Sequence, residues 1–155
     1  MPGTRRAARS KKHQYSKQKI MNMTAFHNNV NKHERLTKQW QGDNEQLKFK
    51  MTIFEECGHK ETKHYQTFQE QIKWNELHIK HSGYMIRLFK SFIDNMPGNP
   101  DAVVKIQKVI HKLMLPNAQE IDESMSKLVE LDHFTEEFYK THMEGFMREI
   151  NSWDR

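Results

Sequence analysis

Histidine is the side chain in this sequence whose number and spacing most suggest chemistry, with ten copies in 155 residues. His78 and His81 are three positions apart, which places both imidazoles on one face of a helix, where they can coordinate a metal ion. His59 and His64 lie upstream. However, no HExxH motif occurs, and Cys57 has no cysteine partner with which to form a zinc site. We therefore expect no metal site, and a pH-responsive role stays open because histidine titrates at a pH of about 6.5.

The lone cysteine, Cys57, also offers little chemistry. It has no cysteine partner for an intramolecular disulfide, and its neighbours Glu55 and Glu56 disfavour the thiolate that a nucleophile needs. The motifs GxSxG, GxxxxGK[ST] and GxGxxG are absent. No pair of acidic residues stands out as an acid/base couple. We predict a protein that is not an enzyme, with no catalytic residue and no cofactor.

Positive charge is concentrated at the N-terminus. Residues 1–19 carry seven basic residues and no acidic one, while the whole chain carries +5, which leaves −2 for the rest. Residues 73–112 contain seven basic and three acidic residues, and residues 113–155 contain four and ten. The candidate binding residues for an acidic partner are Arg5, Arg6, Arg9, Lys11 and Lys12 in the first segment, and Lys80, Arg87, Lys90, Lys105, Lys108 and Lys112 in the second.

The first 19 residues lack apolar periodicity, so we expect a flexible basic arm ahead of a domain that spans residues 20–155. The arm has three interpretations. It is a nuclear-localisation or nucleic-acid tail, a segment that binds acidic polysaccharide, protein or lipid, or a solubilising tail with no specific partner. The rest of the chain has no basic stripe interleaved with exposed aromatic residues, so nucleic acid is not the expected partner.

Composition and periodicity predict an all-α fold. Apolar residues make up only 35% of the chain, but nine Phe, four Tyr and three Trp provide bulky side chains for a core and argue against disorder throughout. Apolar positions recur with a helical period, and no stretch alternates with period two. We predict a single bundle of five or six helices with one long central helix over residues 61–95.

Glycine and proline mark the expected helix ends. Gly42 predicts a stop, followed by a capping box of Asp43 and Gln46, and a second break falls at Cys57–Gly58. In the segment from Met96 to Pro100, Asn99 can cap the next helix and Pro100 can occupy its first turn. Pro116 predicts another end. The helix between these two prolines is expected to have an apolar face formed by Val103, Ile106, Val109, Ile110 and Leu113.

An aromatic and Met-containing stripe runs along the second half of the long helix. Such a stripe is most often core, but an exposed part of it can dock onto a membrane or a partner. The candidates for apolar contact are Tyr84, Met85, Phe89, Phe92 and Met96. No signal peptide is visible and no run is long enough to span a membrane, so we expect a soluble protein, either cytosolic or secreted and mature.

Several short landmarks follow one another along the chain from Arg9 to Trp153. They are RSKKHQY from Arg9 to Tyr15, Asn22 with Ala25 and Phe26, Gly58, Tyr84–Met85, Ile93–Asp94 before a Gly/Pro turn, and FMREINSW from Phe146 to Trp153. In this order, the landmarks resemble the abalone sperm lysin family of acrosomal proteins.

The resemblance implies a five- or six-helix bundle that is secreted from the sperm acrosomal vesicle and acts without catalysis at the egg surface. One branch of the family binds an egg-coat glycoprotein and unravels the vitelline envelope, and the other is associated with fusion to the egg plasma membrane. A homodimer is also open. In lysin, basic residues form tracks along the folded helices. In this chain, only residues 73–112 can form such a track on the folded domain. The alternative hypothesis is an intracellular helical adaptor or nucleic-acid-associated protein with a basic localisation tail.

Overall fold

Four helices form the fold in the part of the chain that the structure describes. The structure is a computed structural model that describes residues 2–96 and 98–153, with side chains from residue 23 onwards, and these residues contain no strand. The predicted all-α class is therefore confirmed for the described part. The helices are α1 (Pro2–Glu56), α2 (Lys63–Asn95), α3 (Pro100–Glu130) and α4 (Glu136–Asn151).

The predicted count of five or six helices with one long central helix is wrong. Instead, α1 has 55 residues, α2 has 33 and α3 has 31, so three long helices are followed by a short one. Two of the predicted ends are helix interiors, at Gly42 and Pro116. In both cases the burial of neighbouring side chains outweighs the local cost.

At Gly42, α1 continues without a break, and Asp43 caps nothing. A glycine in a helix interior costs about 1 kcal/mol relative to alanine. Asn44 and Leu47 are buried directly after it, and the Asn75 amide of α2 donates a hydrogen bond to Asn44 Oδ1 at 2.8 Å. These contacts with α2 exist only if the helix continues.

At Pro116, α3 also continues. A proline inside a helix removes one backbone hydrogen bond and costs about 3 kcal/mol. Met114 and Ile121 are fully buried on either side of it, and burying one such side chain contributes about 1.5–3 kcal/mol. The adjacent Asn117 donates its side-chain amide to the Leu77 carbonyl of α2 at 3.0 Å. The proline itself is exposed, where its ring meets no partner helix.

The other two predicted breaks are confirmed. α1 ends at Glu56, and Gly58 has a φ of +74°, a left-handed conformation that favours glycine. α2 ends at Asn95, and the Asn99 side chain accepts a hydrogen bond from the Ala102 amide at 3.3 Å. Pro100 is the first residue of α3, where no amide hydrogen is needed.

The core lies mainly between α2 and α3, with α1 and α4 closing its sides. α2 packs against both α1 and α3, and α4 packs against α3. Phe26 of α1 lies 5.9 Å from Phe89 and 5.1 Å from Phe92 of α2, measured between ring centroids. Trp153 approaches Phe89 to 5.5 Å. The large apolar side chains buried to more than 98% are Met85, Leu88, Met114, Ile121, Met125, Leu128 and Ile150.

The predicted flexible arm lies largely outside what the structure describes. The backbone of α1 begins at Pro2, but the side chains of residues 1–22 are outside the described part of the chain. The arm over residues 1–19 and the domain boundary at residue 20 therefore stay predictions.

Two glycine substitutions test this account of the helix ends. Gly42→Ala should raise the free energy of unfolding by about 0.5–1 kcal/mol, because nothing beyond the adjoining residues and helix backbone lies within 4 Å of the added Cβ, and alanine favours the helix. Gly58→Ala should lower it by about 1–2 kcal/mol because of the positive φ. Urea denaturation measures both. Stabilisation by both substitutions would contradict the helix end at Gly58.

Candidate functional site

The exposed side of α3 combines positive charge with large apolar side chains. Residues 102–119 contain three lysines and no acidic residue, and the lysine spacing of three and four places all three on the side opposite the core. Four large apolar residues on the same helix are also exposed, with Val109 at 58% and Leu113 at 45% of their surface. We define the α3 outer face as Val104, Lys105, Lys108, Val109, Lys112, Leu113 and Leu115.

This face corrects the predicted apolar side of the helix. Val103 and Ile110 are buried and Ile106 packs against the core as expected, whereas Val109 and Leu113 point away from it. The core-facing residues of α3 already fill its contacts with α2 and α4, so the exposed residues have no place in the core. A local signal for the face was available, since the three lysines recur at a helical spacing within 18 successive residues that contain no acid.

The remaining basic candidate residues on α2 do not all lie on the same side of the helix. Lys80 and Arg87 are exposed on α2 and lie seven residues apart, which is close to two helical turns and therefore one stripe. Lys90 instead faces α1, where its Nζ lies 4.0 Å from Glu34 Oε1. The side chains of Arg5, Arg6, Arg9, Lys11 and Lys12 lie outside the described residues.

The predicted apolar contact residues are mostly core residues. Met85, Phe89 and Phe92 are at least 96% buried, so they are unavailable to a partner while the bundle stays packed. Their place on the inner face of α2, against Phe26 and Trp153, is the physical reason. Tyr84 is half-buried and Met96 is 38% exposed at the end of α2.

A second candidate site is a cluster of histidines from three helices, of which His33, His78 and His81 are buried and His142 is half-buried. His78 of α2 lies 5.5 Å from His142 of α4 between ring centroids, and the two rings pack edge to face. His81 of α2 packs against Phe146 of α4 at 4.6 Å. His33 Nδ1 of α1 lies 3.0 Å from Ser82 Oγ of α2, within hydrogen-bond distance.

Burial is the main reason why these histidines stay neutral. It lowers the pKa of His78 to about 3, with smaller contributions from His142 and His81. It also lowers the pKa of His81 to about 4, with His33 adding to the shift. The pKa of His33 is lowered to about 4 by burial and by Lys32. Within the described residues, His78 Nε2, His81 Nδ1 and His142 Nε2 are buried without a hydrogen-bond partner.

The sequence singled out His78 and His81 but not what surrounds them. Their partners His33 and His142 come from other helices, and no local signal pairs residues so far apart. Among the described residues, no group of three or more His, Cys, Asp or Glu side chains is arranged to hold a metal ion. Cys57 is exposed.

No protein-family model, curated protein or solved structure matches the chain. None of the described helices combines the length and the hydrophobicity of a membrane span.

Proposed function

We propose that this protein acts without catalysis at the egg surface in fertilisation, by binding the anionic egg plasma membrane through the α3 outer face. The observation that supports the proposal is the interleaving of Lys105, Lys108 and Lys112 with exposed valine and leucine on one helix. The fertilisation setting, the secretion and the acrosomal location come from the resemblance to the abalone sperm lysin family.

The physical argument combines two attractions. A lysine near an anionic leaflet contributes about 1 kcal/mol, so three lysines contribute about 3 kcal/mol. Apolar side chains that enter the boundary between headgroups and acyl chains add about 25 cal/mol for each Å² removed from water. Val109 and Leu113 are exposed beside the lysines, so both attractions act in one orientation of the helix.

The membrane branch is proposed ahead of egg-coat dissolution because of the apolar part of this face. A coat glycoprotein with acidic groups would be attracted by lysines alone, whereas a bilayer also buries Val104 and Leu115. Lys80 and Arg87 on α2 extend the positive surface and would help to steer the protein to either target.

Three parallel assays with the full chain test the proposal. We expect co-flotation with phosphatidylcholine–phosphatidylserine vesicles, release of an entrapped dye, and loss of binding when phosphatidylserine is left out or salt is raised. Dissolution of isolated egg envelopes without vesicle binding would overturn the membrane branch and favour the coat branch. Binding to duplex DNA with neither of these activities would favour the intracellular alternative and overturn the whole proposal.

A further inference from the structure

A cleft lies where α1 and α2 meet the turn between α3 and α4, away from the α3 outer face. Its volume is about 390 Å³, within the range of about 300–1,000 Å³ that is typical of small-molecule sites. Three segments build it, so its shape depends on the packed bundle. Its lining includes Trp40, Asp43 and Lys50 from α1, Gln71 and Trp74 from α2, and Phe138 from α4.

Aromatic rings form the apolar part of the cleft. Phe138 is 45% exposed although it is a large apolar residue, and its ring lies 4.9 Å from that of Phe134, which also lines the cleft. The ring of Trp74 lies 5.4 Å from that of Phe134, measured between ring centroids. Trp40 is half-buried on the α1 wall. Flat, partly exposed rings of this kind offer apolar surface to a ligand that presents C–H groups on a ring face.

The charged side chains that line the cleft have no net charge. Asp43 and Lys50 carry opposite charges, so neither an anionic nor a cationic ligand gains a net attraction. Gln71 both donates and accepts hydrogen bonds, and its Nε2 already lies 2.8 Å from His133 Nε2 at the cleft wall. A ligand that satisfies these groups needs several neutral groups that can donate and accept.

We propose that this cleft binds a neutral saccharide. Its hydroxyls match the mixed donors and acceptors around Asp43 and Gln71, and its C–H faces match the rings of Trp40 and Phe138. A flat aromatic ligand would use the rings but leave the polar groups unpaired. The site is separate from the α3 outer face, so it stands or falls independently of the proposed membrane function.

Tryptophan indole signals provide a direct readout in the folded, ¹⁵N-labelled full chain. The probes are neutral oligosaccharides of N-acetylglucosamine, mannose and galactose, each titrated alone, with free indole as the aromatic comparison. We expect at least one sugar to shift the Trp40 and Trp74 signals with a dissociation constant of about 0.1–10 mM, because small exposed sites bind weakly. Trp153, which packs against Phe89 and Phe92, should not shift.

A matched pair of variants distinguishes sugar binding in the cleft from nonspecific binding to exposed aromatic side chains. Phe138→Ala should weaken binding of that sugar about tenfold, which corresponds to the loss of one ring contact of about 1.4 kcal/mol. Phe49→Ala removes a phenylalanine that is 68% exposed and lies outside the cleft, and it should leave binding unchanged. The proposal is overturned if no sugar shifts the two signals, if Trp153 shifts equally, if indole binds more tightly than every sugar, or if both variants behave alike.

Discussion

Replacing Lys105, Lys108 and Lys112 together by glutamine should weaken binding to anionic vesicles about a hundredfold. Each lysine near an anionic leaflet contributes about 1 kcal/mol, and a loss of about 3 kcal/mol corresponds to a factor of about 150. The three side chains are exposed, and glutamine is a good helix former, so the bundle should remain folded. Vesicle flotation at low and at physiological salt measures the change, and circular dichroism checks the fold.

The control is a triple substitution with the same change of net charge elsewhere. Lys38, Lys60 and Lys127 are exposed, lie outside the α3 outer face and have no exposed large apolar residue next to them in the sequence. Changing these three to glutamine should weaken vesicle binding much less, because they are not interleaved with exposed apolar side chains on one helix face. If both triples weaken binding equally, net charge and not the α3 outer face attracts the protein to the membrane.

Local chemistry was enough to predict some helix ends but not others. Gly58 and the Asn99–Pro100 pair act within their own few residues, through a positive φ and a side-chain cap, so the sequence alone locates them. Gly42 and Pro116 carry the same kind of local signal, yet the helices continue. Asn75, which bonds to Asn44, and Leu77, which accepts from Asn117, supply contacts between helices that no local pattern contains.

The same distinction applies to the candidate sites. The lysines of α3 lie within eight residues of one another, so their spacing predicts a shared face. The contact between Lys90 of α2 and Glu34 of α1, by contrast, joins residues that are far apart in the chain, and no local spacing predicts it. The pair of His78 and His81 was visible as a spacing, but its burial depends on aromatic side chains from α1 and α4.

Acidification should destabilise the bundle steeply, starting well above the range in which carboxylates titrate. His78 and His81 have pKa values of about 3 and about 4 when folded, compared with 6.5 for an ordinary histidine. Between these values the unfolded chain binds more protons than the folded one, so stability is complete above a pH of about 6.5 and is lost as the pH falls. Each histidine lowers the free energy of unfolding by about 1.4 kcal/mol per pH unit.

The expected loss is large compared with the total stability of a domain. The two histidines together remove about 3 kcal/mol between a pH of about 6.5 and about 5, and single domains have only about 5–15 kcal/mol. His33, which is also buried and neutral, adds to the loss. Urea denaturation at several pH values from about 7 to about 5 measures the slope directly, and a free energy of unfolding that is constant over this range would contradict the prediction.

Single substitutions test whether the buried histidines cause the decrease in the free energy of unfolding at low pH. His78→Phe keeps a ring of similar size among Trp40, Trp74 and Phe146 and removes a buried nitrogen that has no hydrogen-bond partner in the described residues. It should reduce the slope by about 1.4 kcal/mol per pH unit and change the stability at neutral pH by less than about 1.5 kcal/mol. His27→Gln, at an exposed position of α1, should leave the slope unchanged. If His78→Phe also leaves the slope unchanged, this histidine is not held neutral by burial, and the acid sensitivity has another source.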